Sequence, residues 1–102
     1  MIGEFKVITL CGSARFKDEF RKQEQILSLE GYMVLSPIFF DEEIQTKLER
    51  SKLEMLKLMH YRRIDLSDEI LVINKNGYIG ESTKKEIDYA RNHSKIVNFI
   101  EN

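Results

Sequence analysis

The chain lacks several features that define large classes of protein. Its single cysteine, Cys11, cannot form an internal disulfide, and no Cys/His cluster has the spacing of a zinc site. No apolar segment near its start resembles a signal peptide. Apolar runs such as residues 70–73 are far shorter than the roughly 20 residues of a membrane span. We therefore expect a cytoplasmic protein that has no membrane partner and binds no metal.

Neither sign of charge is in excess. The 16 basic and 17 acidic residues give a formal net charge of −1. Proteins that bind polymeric nucleic acid usually carry a basic excess or stripe, so we expect no such partner. A net charge this small also does not oppose self-association.

What the chain does contain is a regular alternation of apolar and amphipathic segments. The pattern predicts strands at residues 5–11, 32–36, 69–74 and 95–100, and helices at residues 15–30, about 42–66 and 82–92. The middle helical segment is interpreted as one long helix or two short ones. This βαβαβαβ order predicts one α/β domain over residues 1–102. We expect a doubly wound, flavodoxin- or Rossmann-like open parallel sheet of strand order 2-1-3-4, with helices on both faces.

The middle helical segment carries apolar side chains in more than one direction. Four of them follow one face, and three others lie partly off it, which predicts a second apolar surface. The first set is Ile44, Leu48, Met55 and Met59, and the second is Leu53, Leu56 and Ile64.

Three common ligand motifs of α/β proteins are absent. The first strand leads into Cys-Gly-Ser-Ala-Arg at residues 11–15, which does not match the dinucleotide fingerprint G-x-G-x-x-G. The G-K-[ST] of a P-loop does not occur. The acidic residues of a response regulator are replaced by Cys11 and Asn74 at the ends of the first and third strands.

In such a sheet, ligands bind beyond the carboxyl ends of the strands, at the switch point between the first and third strands. The first loop at that point offers Gly12 for a tight turn, and Ser13 and Arg15 as ligands for phosphate at a helix N-terminus. The alternative is that Ser13 only caps the helix and Arg15 is a solvated charge.

The second loop runs from Gly77 into the third helix and contains Gly80. We expect Glu86 in the first turn of that helix, where its carboxylate would act as a nucleophile or base. The alternative is that Thr83 and Glu86 form a capping box and do no chemistry.

His60 and the pair Phe39 and Phe40 have both a functional and a structural interpretation. His60 stands up to about 12 Å before Asp68 along a helix, which moves it toward the ligand end of the sheet; otherwise it is an ordinary surface or packed histidine. Phe39 or Phe40 would stack on a base or belong to the core. Cys11 is expected to be half-buried and inert.

The order of these motifs resembles a known superfamily. Cys11-Gly12-Ser13-Ala14-Arg15, then Ser67-Asp68-Glu69-Ile70-Leu71-Val72, a glycine-bearing loop, and Glu86-Ile87-Asp88-Tyr89-Ala90 resemble the nucleoside 2-deoxyribosyltransferase superfamily. That superfamily includes the 2'-deoxynucleoside 5'-phosphate N-hydrolases. The resemblance covers almost the whole chain in order and spacing.

The resemblance implies an activity on a nucleoside or nucleoside 5'-monophosphate without a cofactor. Glu86 would attack C1' of the deoxyribose and expel the base, and the sugar would pass to another base or to water. Gly12, Ser13 and Arg15 would hold the 5'-phosphate, with Gly80 and Ser82 contributing from the second loop. The resemblance also implies a homodimer or larger homo-oligomer in which one subunit completes the site of its neighbour.

The chain departs from the family pattern at three places. Thr9 stands where a tyrosine is common, His60 stands where a catalytic aspartate is expected, and residues 82–85 replace a glycine-rich approach. A histidine can act as a general acid at neutral pH. Two alternatives remain open: a non-catalytic nucleotide-binding module, and a lysine-decarboxylase-like phosphoribohydrolase. Of the P-G-G-x-G-T-x-x-E signature of that second group, only Thr83 and Glu86 remain.

Overall fold

A computed structural model describes all 102 residues. The strands are β1 (Val7–Gly12), β2 (Met33–Leu35), β3 (Glu69–Ile73) and β4 (Ile96–Phe99). The α-helices are α1 (Lys17–Leu29), α2 (Glu42–Gln45), α3 (Arg50–Leu66) and α4 (Glu81–Asn92). Short 3-10 turns, Ala14–Phe16 and Lys75–Gly77, follow β1 and β3. No helix combines the length and the apolar composition that crossing a bilayer requires.

The four strands form one parallel sheet in the order β2-β1-β3-β4, so the predicted topology is confirmed. β1 lies between β2 and β3, with Thr9 opposite both Leu35 and Ile70. The predicted strands differ from the observed ones only at their ends. The carboxyl ends of β1 and β3 therefore lie side by side, as the switch-point argument requires.

Alternate side chains of the strands enter two cores on opposite faces of the sheet. The core beneath α3 and α4 contains Cys11, Ile64, Ile70, Val72, Ile87 and Ala90. The core beneath α1 contains Ile8, Leu10, Phe20 and Ile73. Helices thus cover both faces, which explains why the central strands are apolar at successive positions.

Gly12 allows β1 and β3 to approach closely at the ligand end of the sheet. A Cβ at this position would lie 2.9 Å from the carbonyl oxygen of Ile73, and the Gly12 φ of 155° also suits glycine. A larger residue would push the loop after β1 away from β3.

The middle helical segment forms two helices, α2 and α3. The residues that the apolar pattern placed together on one face are not the ones that are buried. His60 and Ile64 are the buried residues of α3, whereas Ile44, Met55 and Met59 are exposed. The side of α3 that faces the sheet belongs to the predicted second surface, which includes Ile64. Helical periodicity detected two apolar surfaces but could not decide which one the sheet covers.

The start of α4 corrects the capping-box interpretation. Gly80 is the N-cap residue and no side chain caps the helix. Thr83 is the third residue of α4, and Glu86 is the sixth, in the second turn. Glu86 is therefore not a capping residue, and its carboxylate is free for other contacts.

Candidate functional site

Three side chains from three elements meet behind the carboxyl end of β1. His60 Nε2 of α3 lies 3.5 Å from Cys11 Sγ of β1 and 3.6 Å from Glu86 Oε1 of α4. The donor atoms of all three residues lie within 4.8 Å of one another. Cys11 is fully buried, and the side chains of His60 and Glu86 are 9% and 14% exposed. The fold thus places a carboxylate in a nearly closed environment.

Arg63 determines which nitrogen of His60 carries the proton. Its NH1 lies 3.4 Å from His60 Nδ1. A guanidinium only donates hydrogen bonds, so Nδ1 acts as the acceptor and the hydrogen of the neutral ring is assigned to Nε2. That N–H faces Glu86 and Cys11. At 3.6 Å, the contact with Glu86 is longer than a hydrogen bond but needs only a small movement to become one.

The Cys11 thiol remains protonated in this environment. Burial raises its pKa well above the ordinary value of 9.0, and the charge of Glu86 and a hydrogen bond to that carboxylate raise it further. Cys11 therefore offers an S–H donor to Glu86 and is not a nucleophile. The sequence predicted a half-buried, inert thiol, but the residue is fully buried, and its contact with the Glu86 carboxylate was not predicted.

The same three side chains offer sulfur, nitrogen and oxygen donors of the types that zinc uses. A histidine bound to a metal through Nε2 normally donates its Nδ1–H to an acceptor. Here Nδ1 faces the Arg63 guanidinium, which is itself a donor. The arrangement favours a hydrogen-bonded cluster around Glu86 over a metal site.

A polar cavity of about 350 Å³ lies between the loop after β1 and the start of α4. It brings together four of the residues singled out from the sequence: Gly12, Ser13, Gly80 and Ser82. Its lining is completed by Ala14, Tyr78, Glu81 and Thr83. The first backbone N–H groups of α4 are at this cavity and have no partner within the helix, which makes this end of the cavity suited to an anion.

Two of the predicted phosphate ligands make contacts within the chain. Ser13 Oγ accepts a hydrogen bond of 3.3 Å from the backbone N–H of Arg15, so its capping role is confirmed for the short 3-10 turn. Arg15 does not line the polar cavity; its guanidinium lies over the ring of Tyr78. Tyr78 was not recognised from the sequence, although its position between Gly77 and Gly80 placed it in a ligand loop.

A second cavity, of about 490 Å³, shares Gly12 and Ala14 with the polar cavity. Its remaining lining residues are Lys17, Pro37, Ile38, Phe39, Phe40 and Gln45. The Phe39 ring also packs edge-on against the ring of Phe20, with ring centres 4.9 Å apart, so Phe39 contacts the core as well as the cavity. Phe40 also lines a smaller cavity, of about 140 Å³, whose wall includes His60 and Arg63.

His60 and Glu86 line neither the polar cavity nor the second cavity. Glu86 lies three residues after Thr83 on α4, or about 4.5 Å along the helix axis. The predicted catalytic residues and the predicted phosphate-binding residues therefore form two neighbouring groups, joined by α4 and by the end of β1.

No protein-family model, curated protein or solved structure matches this chain.

Proposed function

We propose that the protein is an N-glycosidase or deoxyribosyltransferase of the nucleoside 2-deoxyribosyltransferase type. It would cleave the N-glycosidic bond of a deoxynucleoside or its 5'-monophosphate. One observation carries the proposal: Glu86 is held beside two donors, His60 and Cys11, at the ligand end of a parallel sheet.

The proposed reaction uses the Glu86 carboxylate as a nucleophile. One oxygen forms a bond to C1' as the C1'–N bond breaks and its electron pair leaves with the base, which takes a proton from solvent. Water or a second base then attacks C1', the bond between C1' and Glu86 breaks, and the attacking group loses a proton to solvent, which leaves the carboxylate free. A carboxylate beside the anomeric carbon stabilises the oxocarbenium-like transition states of both steps.

In this proposal His60 and Cys11 direct the carboxylate. The His60 Nε2–H lies 3.6 Å from Glu86 Oε1 and the Cys11 thiol donates to the same carboxylate, so both groups restrict its orientation. The sequence allowed His60 to act as a general acid at neutral pH. We assign it to holding Glu86, because a second ring proton on Nδ1 would face the donor groups of Arg63.

The polar cavity and the second cavity support a ligand with one anionic end and one aromatic end. The polar cavity contains hydroxyl groups and helix N–H groups, which suit a phosphate. The neighbouring cavity contains Phe39 and Phe40, which suit a base. Since both cavities include Gly12 and Ala14, one nucleoside monophosphate could cross that loop and occupy both.

We also propose that the active form is a homodimer or larger homo-oligomer. Leu53, Met55, Leu58 and Met59 are exposed on the first part of α3. Large apolar patches on a protein surface commonly mark an interface. Leu53 and Leu56 also line the small cavity that reaches His60, so a second copy packed on α3 would close that side of the cluster.

The direct test is base release from deoxy- and ribonucleosides and their 5'-monophosphates, measured by chromatography. We expect Glu86→Gln to lower release at least about 100-fold, because the amide cannot form the glycosyl ester. The matched control is Asp88→Asn, an exposed carboxylate two residues further along α4. Undiminished release by Glu86→Gln, or no release by the folded protein from any substrate, would contradict the proposal.

A second candidate function is a nucleotide-binding module without catalysis. This function is favoured because Glu86 lines neither the polar cavity nor the second cavity. Thermal unfolding with each nucleotide separates the two functions. A ligand at 100 times its Kd would add about 2.7 kcal/mol to the free energy of unfolding. Such stabilisation without base release, unchanged in Glu86→Gln, would identify the binding module.

A further inference from the structure

Arg15 and Tyr78 join the two loops that border the polar cavity. Arg15 Cζ lies 3.8 Å from the centre of the Tyr78 ring, and Arg15 NH2 donates a hydrogen bond of 3.3 Å to the Tyr78 hydroxyl. The two residues are 63 positions apart in the sequence. Tyr78 lines the cavity, so Arg15 contacts a residue of the cavity wall without lining the cavity itself.

Hydrogen bonds to Glu101 hold the loop that carries Tyr78 in place. Asn74 exchanges two hydrogen bonds of 3.0 Å with the backbone of Glu101, and the Asn76 N–H donates to Glu101 Oε2, also at 3.0 Å. Phe16 packs edge-on against Tyr78 from the first loop, with ring centres 6.0 Å apart. The position of Tyr78 is therefore set by several contacts besides its contact with Arg15.

Gly80 leaves room for the Tyr78 hydroxyl. A Cβ at position 80 would lie 3.2 Å from that oxygen, closer than ordinary van der Waals contact. The hydroxyl end of the tyrosine thus lies against Gly80, the N-cap residue of α4.

Stacking on Tyr78 leaves Arg15 able to bind an anion. The contact places Arg15 Cζ over the ring, and a guanidinium carries five N–H donors that point outward in its plane. One of the five donors reaches the Tyr78 hydroxyl, and four remain. A phosphate monoester in the polar cavity could accept from these donors while the stack stays intact.

We propose that Tyr78 is a positioning residue that holds Arg15 for the phosphate of the ligand, and that it thereby sets the preference for phosphorylated over unphosphorylated nucleosides. The identity of the ligand as a nucleotide rests on the proposed function. The role of Tyr78 in phosphate binding can be measured without turnover.

The test is calorimetric titration of the wild type, Tyr78→Phe, Tyr78→Leu and Arg15→Ala with inorganic phosphate, with deoxyadenosine 5'-monophosphate and with deoxyadenosine. We expect Tyr78→Leu to weaken binding of both phosphate-bearing ligands roughly 3- to 10-fold, the range of a cation–π contact. Tyr78→Phe keeps the stack and should stay within about twofold of wild type. Arg15→Ala should lose at least as much as Tyr78→Leu, and deoxyadenosine should bind all four proteins equally.

Three results would overturn the proposal. They are wild-type phosphate affinity in Tyr78→Leu, equal losses in Tyr78→Phe and Tyr78→Leu, and no phosphate binding by the wild type. Tyr78 is 39% exposed, so its replacement should leave the fold intact, which circular dichroism verifies.

Base release separates this proposal from the proposed function. Phosphate binding that depends on the Tyr78 ring, without release of any base, would support the role of Tyr78 and contradict the glycosidase. Base release from the 5'-monophosphate that is equally fast in Tyr78→Leu and wild type would support the glycosidase and contradict the role of Tyr78.

Discussion

The two halves of α3 both carry large apolar side chains, but their surroundings differ. In residues 60–66, Ile64 is fully buried against the sheet, and His60 reaches Cys11 and Glu86. In residues 50–59, Leu56 is the only residue that is partly buried, and the other apolar side chains are exposed. The site therefore lies at the point where α3 comes into contact with the sheet.

This difference shows that apolar composition along a helix does not decide which part of it is covered. The sheet has four short strands, and α3 has 17 residues, or about 25 Å of helix. The strands and α4 leave the first half of α3 uncovered. Its apolar residues are available to a partner, whereas Ile64 in the second half stabilises the monomer.

The largest expected effect is a difference in stability between two truncations, one in each half of α3. Ile64→Ala should lower the free energy of unfolding by about 3 kcal/mol, because it leaves a cavity in a closed core. Leu58→Ala should change it by less than about 0.5 kcal/mol, because Leu58 is exposed. Urea unfolding at low protein concentration measures both values. Equal losses would mean that the first half is covered in the monomer.

The next effect concerns Cys11, which lies beneath the packed half of α3. Its pKa is raised by burial and by Glu86, so above the ordinary value of 9.0 the unfolded chain loses this proton while the folded protein retains it. Stability is therefore fully present below pH 9 and falls as the pH rises, by at most about 1.4 kcal/mol per pH unit for this group. Unfolding between pH 8 and 10.5 should show this decline.

The control for the alkaline decline is Cys11→Ser, which should show a shallower slope. Some slope will remain, because burial and the charge of Glu86 also raise the pKa of Tyr61 from its ordinary value of 10.0. A thiol reagent at neutral pH should modify Cys11 only after unfolding. Rapid labelling of the folded protein would show that the cluster is open to solvent.

The smallest effect on the monomer comes from charging the exposed half. Met55→Lys with Met59→Lys should change the stability of the monomer by less than about 0.5 kcal/mol, because both side chains are already in water. The same pair should abolish self-association, because charges are unfavourable at the core of an interface. Analytical ultracentrifugation of wild type and variant gives the result. A monomeric wild type would contradict the oligomer proposal.

Much of the fold could be predicted from local patterns. The strands are short, rich in β-branched residues and separated by helical spacing, and the βαβ connections allow few topologies. The start of α4 was placed one residue late, and Glu86 was assigned to the wrong turn. That error arose because Thr83 and Glu86 match a capping box locally, whereas Gly80 is the N-cap residue in the structure.

The site was predictable only in part. Gly12, Ser13, Gly80 and Ser82 were placed in two loops that the topology brings together, and they line one cavity. The contacts of Arg63, Cys11 and Tyr78 were not predicted, because each joins groups whose relative directions depend on packing. Arg63 is three residues after His60, a helical spacing that could have suggested their contact.

The sequence by itself determined the order of strands and helices, the loops at the ligand end and the presence of two apolar surfaces on α3. These properties follow from side-chain periodicity and backbone preferences, which act over a few residues. Only the tertiary structure decided that α3 turns Ile64 to the sheet and that Arg15 stacks on Tyr78. It also decided that Cys11 and His60, 49 positions apart, meet beside Glu86. The reason is physical: contacts between distant residues depend on how the crossover helices settle on the sheet, and close packing of the whole core sets that arrangement.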